Sequence, residues 1–167
     1  GDPFAAPAPD TDASIERFGA KDANDLSWAN LLNAYTCTEC GRCTSECPAN
    51  LTGKKLSPRK IMMDTRDRIE EIGQNIATNG SFLDDGKSLL GDYITNEELW
   101  ACTSCNACVQ ACPVDIDPLN IIMKLRNFAT MEESSAPGAL NAMMTNVENN
   151  GAPWPFNQMD RANWINE

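Results

Sequence analysis

The sequence predicts an all-α fold in which two cysteine-rich loops are held between helix ends. Three observations carry this. Apolar residues outside the loops recur at helical spacing. No stretch alternates apolar and polar residues as a half-buried strand would. A long segment, residues 48–101, separates the loops and reads mostly as helix, whereas a β-rich arrangement would bring them together through hairpins.

Residues 1–24 are rich in Ala, Pro and Asp and read as a flexible arm or linker. Trp28, Leu31, Leu32 and Tyr35 then form a helical stripe leading into the first loop. Ser57-Pro58 reads as an N-cap followed by proline at the first helical position. Ile61, Thr65, Ile69, Ile72 and Ile76 fall on one face of the helix that follows. Asn79-Gly80 and Asp84-Asp85-Gly86 mark turns. Thr95 and Glu98 have the spacing of a capping box. Asp117-Pro118 opens another helix, with Ile121, Ile122, Leu125 and Phe128 along its face. Leu140, Met143, Met144 and Val147 mark a last short amphipathic helix. The expected organisation is an arm over 1–24, a helical domain over 25–131, and a terminal helix with a Trp-rich tail over 132–167.

The chemistry lies in eight cysteines, grouped as Cys37, Cys40, Cys43, Cys47-Pro48 and Cys102, Cys105, Cys108, Cys112-Pro113. Each run has the C-x2-C-x2-C-x3-C-P spacing of bacterial ferredoxins. Three closely spaced thiolates let one loop wrap three corners of a cubane, and the fourth corner comes from elsewhere. In two-cluster ferredoxins the fourth cysteine of each run ligates the other cluster. The expected ligands are therefore Cys37, Cys40, Cys43 and Cys112 for one [4Fe–4S] cluster, and Cys102, Cys105, Cys108 and Cys47 for the second.

Disulfides fit less well, since the chain shows no secretory signal pattern. Zinc sites normally use pairs of C-x-x-C, so zinc remains as a rival staple. A thioredoxin-like dithiol lacks its βαβ setting.

The runs are copies 65 positions apart, and their flanks correspond. Tyr35 and Trp100 stand two residues before the first cysteine. Ala49 and Val114 stand two after the last, Leu51 and Ile116 four after. These side chains are expected either to cover a cluster face or to pack in the core. Gly41 and Asn106 occupy one equivalent position, and both residue types accept positive φ. A left-handed turn there would aim backbone N–H groups at cluster sulfurs. Thr38, Thr103, Ser45 and Ser104 are further candidate donors.

Composition excludes several functions. The 167 residues are 42% hydrophobic and 7% aromatic, enough for a small core that bound metal would reinforce. A net charge of −11 argues against nucleic acid as partner. The absence of histidine removes His-ligated haem, Rieske clusters and most catalytic zinc. No apolar run has membrane-spanning length. Lys54, Lys55, Arg59 and Lys60 form a basic cluster that either docks an acidic partner or balances local negative charge. The Met62-Met63 pair reads as core. Trp154, Phe156 and Trp164 read as packing onto this domain or a neighbour.

Cys37-Thr38-Glu39-Cys40-Gly41-Arg42-Cys43, Leu51-Thr52-Gly53-Lys54, Leu56-Ser57-Pro58 and Glu97-Glu98-Leu99-Trp100-Ala101-Cys102-Thr103-Ser104-Cys105 resemble the α-helical ferredoxin domain of heterodisulfide-reductase-related iron–sulfur proteins. The nearest likeness is to CCG-type, membrane-associated Fe–S oxidoreductases, over roughly residues 25–165. Asn149-Asn150-Gly151-Ala152-Pro153-Trp154 resembles the stretch that leads into their CCG domains, but Ala152 and Pro155 depart from it and no CCG repeat follows.

The resemblance implies a piece of a larger oxidoreductase at the inner, cytoplasmic face of a membrane. Its donor would be a flavoprotein, such as an electron-transferring flavoprotein or a hydroxyacid dehydrogenase. Its acceptor would be a membrane quinone or haem site, or a CCG domain. No residue set reads as a substrate pocket, so the module alone is not expected to be an enzyme. The alternative is a structural or interaction module with Fe–S or zinc as staple.

Overall fold

The computed structural model describes residues 17–165. Among these the regular elements are helical, and no strand is present. In chain order they are α1 (Trp28–Thr36), α2 (Arg42–Ser45), α3 (Pro48–Leu51), α4 (Pro58–Asn79), α5 (Asn96–Ala101), α6 (Ala107–Gln110), α7 (Pro118–Met131) and α8 (Gly138–Asn150). Short 3-10 turns cover Ala23–Asp25 and Gln158–Ile165. None of the described helices is long and apolar enough to cross a membrane.

The caps explain where the helices begin. Ser57 Oγ accepts from the Lys60 N–H at the head of α4, with Pro58 at the first position. Thr95 and Glu98 close a full capping box on α5. Asp117 caps α7 through the Asn120 N–H at 2.9 Å. Gly80 ends α4 in the left-handed region, φ 78°.

The core forms where α4 meets α1 and α7. Ile61 and Met62 of α4 join Ile121, Ile122, Leu125 and Phe128 of α7 in one buried cluster, and Thr65 and Ile72 are buried along the same helix. Leu56, Leu89, Ile94 and Leu99 complete it. Ile76, on the same expected face of α4, emerges at the distal end and is exposed.

Helix α1 turns its expected stripe outward. Asn30 and Ala34 are its buried residues, while Trp28, Leu32 and Tyr35 are exposed and only Leu31 of the stripe packs inward. Small Ala34 lets α1 approach α4 closely, and Asn30 Nδ2 donates to Asn120 Oδ1 at 2.9 Å. Amphipathic periodicity placed the helix but not its buried face. Helix α8 likewise forms with no buried residue, and Met143, Met144, Val147, Trp154, Phe156 and Trp164 are exposed.

Residues 17–24 lie in the stretch that composition reads as an arm, yet they pack on the domain. Gly19 sits so close to α7 that an added Cβ would lie 2.3 Å from Lys124 O. Ala20 is fully buried, and its N–H donates to Lys124 O at 3.0 Å. Asp22 reaches the fully buried Arg68 of α4, whose Nε and Nη2 donate to the carboxylate at 2.9 and 2.7 Å. The same guanidinium donates to Asp85 at 2.6 and 2.9 Å and to Lys87 O. Arg68 thus clamps the N-terminal segment and the 84–89 loop onto α4. The rest of the arm, residues 1–16, lies outside the described residues.

Candidate metal centre

Each cysteine run occupies the same local structure. The preceding helix ends at the first cysteine, Cys37 after α1 and Cys102 after α5. The loop then turns through two left-handed residues, Glu39 and Gly41 in the first run, Ser104 and Asn106 in the second. Gly41 (φ 80°) and Asn106 (φ 61°) are the expected pair, and each becomes the N-cap of the short helix bearing the third cysteine. Glu39 and Ser104, both at φ 56°, were not anticipated; their only sequence signal is that they too are one repeat apart.

After the fourth cysteine the copies diverge. Ten residues, 48–57, connect Cys47 to α4, and they include the extra helix α3. Five residues, 113–117, connect Cys112 to α7 through a turn in which Asp115 is left-handed, φ 55°. The side-chain phase therefore reverses. Ala49 is buried and Val114 half-exposed; Leu51 is exposed and Ile116 buried.

Cys37, Cys40, Cys43 and Cys112 line one small cavity. Thr38, Gly41, Met62, Val114, Ile116 and Pro118 form most of the remaining wall, and Glu39 and Arg59 complete it. Three thiols come from the first loop and one from the second. Cys102, Cys105 and Cys108 lie along the second loop, and Cys47 is buried at the head of α3 in the core against which Cys37, Cys102 and Cys112 all pack. Helices α2 and α6 pack on each other, which brings Cys43 and Cys108 within electrostatic reach.

Burial pushes the Cys43 thiol up, a hydrogen bond from Thr44 opposes this, and neighbouring Cys37 and Cys40 add to the rise. Cys108 is pushed up to about 11, by burial first and then by Cys102. Hydrogen bonds from the Ala107 N–H and the Thr103 hydroxyl lower Cys105. Gathered thiolates repel one another, and a cationic iron core relieves that repulsion.

Backbone N–H groups already point at sulfur. The Ser104 N–H donates to Cys102 Sγ at 3.4 Å and the Ile116 N–H to Cys112 Sγ at 3.3 Å. Ser45 instead donates to the carbonyls of Gly41 and Arg42, and Ser104 Oγ faces Met123 Sδ. Of the basic cluster, Lys55 pairs with Glu97 at 2.6 Å, and Lys60 with Asp64 and Glu98 at 2.7 and 2.9 Å. Those two lysines balance local carboxylates, while Arg59 belongs to the cavity wall.

Residues 36–116 match the family model of the 4Fe–4S dicluster domain. The chain is 34% identical to the probable iron–sulfur-binding oxidoreductase FadF of Bacillus subtilis, over 94% of this chain and 26% of that protein. It is 31% identical to the EtfAB:quinone oxidoreductase of Syntrophomonas wolfei, over 91% of this chain and 24% of that protein. A subunit of the ferredoxin/F420H2-dependent CoB–CoM heterodisulfide reductase of Methanosarcina acetivorans is 31% identical, over 65% of this chain and 54% of its own length. The chain spans about a quarter of the length of the first two relatives. An all-thiol donor set in a mostly apolar wall, with amides aimed at sulfur, fits iron–sulfur clusters, and the matched domain makes them two [4Fe–4S] clusters.

Proposed function

The chain belongs to the 4Fe–4S dicluster iron–sulfur proteins related to FadF and to the heterodisulfide reductases, and on that premise we propose that it is a two-cluster wire segment, passing single electrons between a flavoprotein and a membrane or catalytic acceptor. In this reading Cys37, Cys40, Cys43 and Cys112 hold the first cluster, and Cys102, Cys105, Cys108 and Cys47 the second. The observation that carries it is the cavity lined by three cysteines of one run and the last cysteine of the other.

When bound, each cluster supplies a one-electron couple. The chain's own residues would bind the clusters and aim N–H groups at their sulfurs. The packing of α2 on α6 supports short transfer between clusters. The donor we assign is an electron-transferring flavoprotein or a hydroxyacid dehydrogenase. The acceptor is a quinone or haem site in the membrane, or a CCG domain. The name of the Syntrophomonas relative, joining EtfAB with quinone, supports the flavoprotein-to-quinone version, and the seat we assign the module is the inner face of a membrane.

Anaerobic iron and sulfide analysis with EPR of the reduced protein tests the reading. About eight irons in two four-iron clusters are expected, together with reversible reduction by a flavoprotein donor. Bound zinc, or a metal centre that never cycles, would return the module to a structural staple.

A further inference from the structure

We propose that Trp100 and Arg126 raise the reduction potential of the cluster held by the second cysteine run, making it the electron sink of the pair. The inference rests on the ligand sets proposed above.

Trp100 Nε1 is buried and has no hydrogen-bond partner among the described residues. A buried N–H without an acceptor is costly, so such a group in a native protein calls for one. Trp100 stands two residues before Cys102 and packs against the core. The sulfurs of a cluster on that loop are acceptors of the right kind, and hydrogen bonds to sulfur are a lever on potential.

Arg126 of α7 lies over the same indole, its guanidinium carbon 4.9 Å from the ring centroid. It is fastened to the start of the second loop. Nε and Nη2 donate to Leu99 O at 3.1 and 2.8 Å, and Nη2 donates to Cys102 O at 2.6 Å. Its remaining acceptor is the Ser104 hydroxyl at 3.5 Å. All of these acceptors are uncharged, so none cancels the cation. Burial works against the charge, and the Cys102 thiolate works in its favour. An arginine keeps its proton even so.

Reduction adds one negative charge to a cluster. A fixed cation and a buried N–H donor at the same loop both favour the reduced form.

The first loop has neither device. Tyr35, the counterpart of Trp100, is half-exposed. The cation at its cavity, Arg59, is exposed and therefore screened. Glu39 adds a carboxylate to the same wall, held by Arg66. An electron arriving at the first cluster then runs downhill to the second.

EPR-monitored potentiometric titration of the anaerobically purified, two-cluster protein tests this, with Cys105→Ser identifying the signal of the second cluster. Arg126→Gln is expected to weaken reduction of that cluster at least tenfold, or about 59 mV for one electron, with a smaller change at the first. Trp100→Phe keeps the ring but removes the donor, and should shift the same cluster in the same direction by less. Arg126→Lys restores most of the loss.

Unmoved potentials in Arg126→Gln and Trp100→Phe, with about eight irons still bound, overturn the proposal. Equal shifts at both clusters overturn it as well. If Arg126→Gln sheds iron, Trp100→Phe decides alone, and an unshifted second cluster sinks the idea. Wild-type protein lacking two clusters refutes the ligand assignment instead.

Discussion

Four residues past its last cysteine, the first run carries Leu51, 70% exposed, and the second carries Ile116, 4% exposed. Two residues past, the order is reversed, with Ala49 3% exposed and Val114 51%. Before the cysteines, Tyr35 faces solvent while Trp100 packs inward under Arg126. The metal-binding loops themselves keep one geometry down to paired left-handed residues. The repeat thus keeps the loop conformation and leaves its surroundings free to differ. Helix α3 in one connection, and a short turn in the other, are enough to exchange inside for outside.

The comparison breaks first at the cysteines. Cys112→Ser is expected to remove the cluster of Cys37, Cys40 and Cys43, lowering iron from about eight to about four per chain. Loss of the second run's own cluster instead would mean that the runs do not exchange ligands. Metal analysis and EPR of the reduced variant distinguish the two.

Next in size is Arg68→Ala. It removes the clamp shared by Asp22, α4 and the 84–89 loop and strands two carboxylates. Breaking such a buried pair costs about 3–5 kcal/mol. Denaturant unfolding followed at both clusters should show one common loss, since both halves pack on α4. A loss confined to one cluster would show that the halves unfold separately.

Equivalent positions sharpen the contrast. Ile116→Ala should cost about 2–5 kcal/mol, and Leu51→Ala about 0.5 kcal/mol or less. Comparable losses at both in equilibrium unfolding would refute the reversed phase.

The smallest effect is an acid one. The Arg68 guanidinium holds the Asp85 carboxyl down to about 2, against an ordinary 3.8. Its contribution to stability is complete above the unfolded value and is lost as pH falls from about 4 towards 2. Asp85→Asn should flatten that part of the stability profile while leaving the cysteine loops intact. An unchanged acid limb would remove Asp85 from the account.

Many of the helix starts and loop turns were legible in the chain itself. Ser57-Pro58, Thr95 with Glu98, and Asp117-Pro118 cap their helices as read, because a cap is a local hydrogen bond set by a few neighbouring residues. Gly41 and Asn106 adopt positive φ for an equally local reason. The stripe of α1 was not legible in its orientation. Periodicity shows that one face is apolar, but a small, polar face carrying Ala34 and Asn30 allowed closer packing on α4 and a bond to Asn120. The packed segment 17–24 was also hidden, since its hold comes from Arg68, Lys124 and other residues far along the chain. Glu39 and Ser104 were missed because neither residue type announces a left-handed backbone.

The sequence by itself determined the eight cysteines, their repeat and the helical class. Ligand spacing and capping act over a few residues and leave a direct trace in the chain. The spacing also anticipated Cys112 beside Cys37, Cys40 and Cys43; only the tertiary structure set Trp100 beneath Arg126. It also decided which of two matching apolar residues is buried. These depend on where α4 and α7 lie relative to each loop, a packing outcome that spacing alone does not encode.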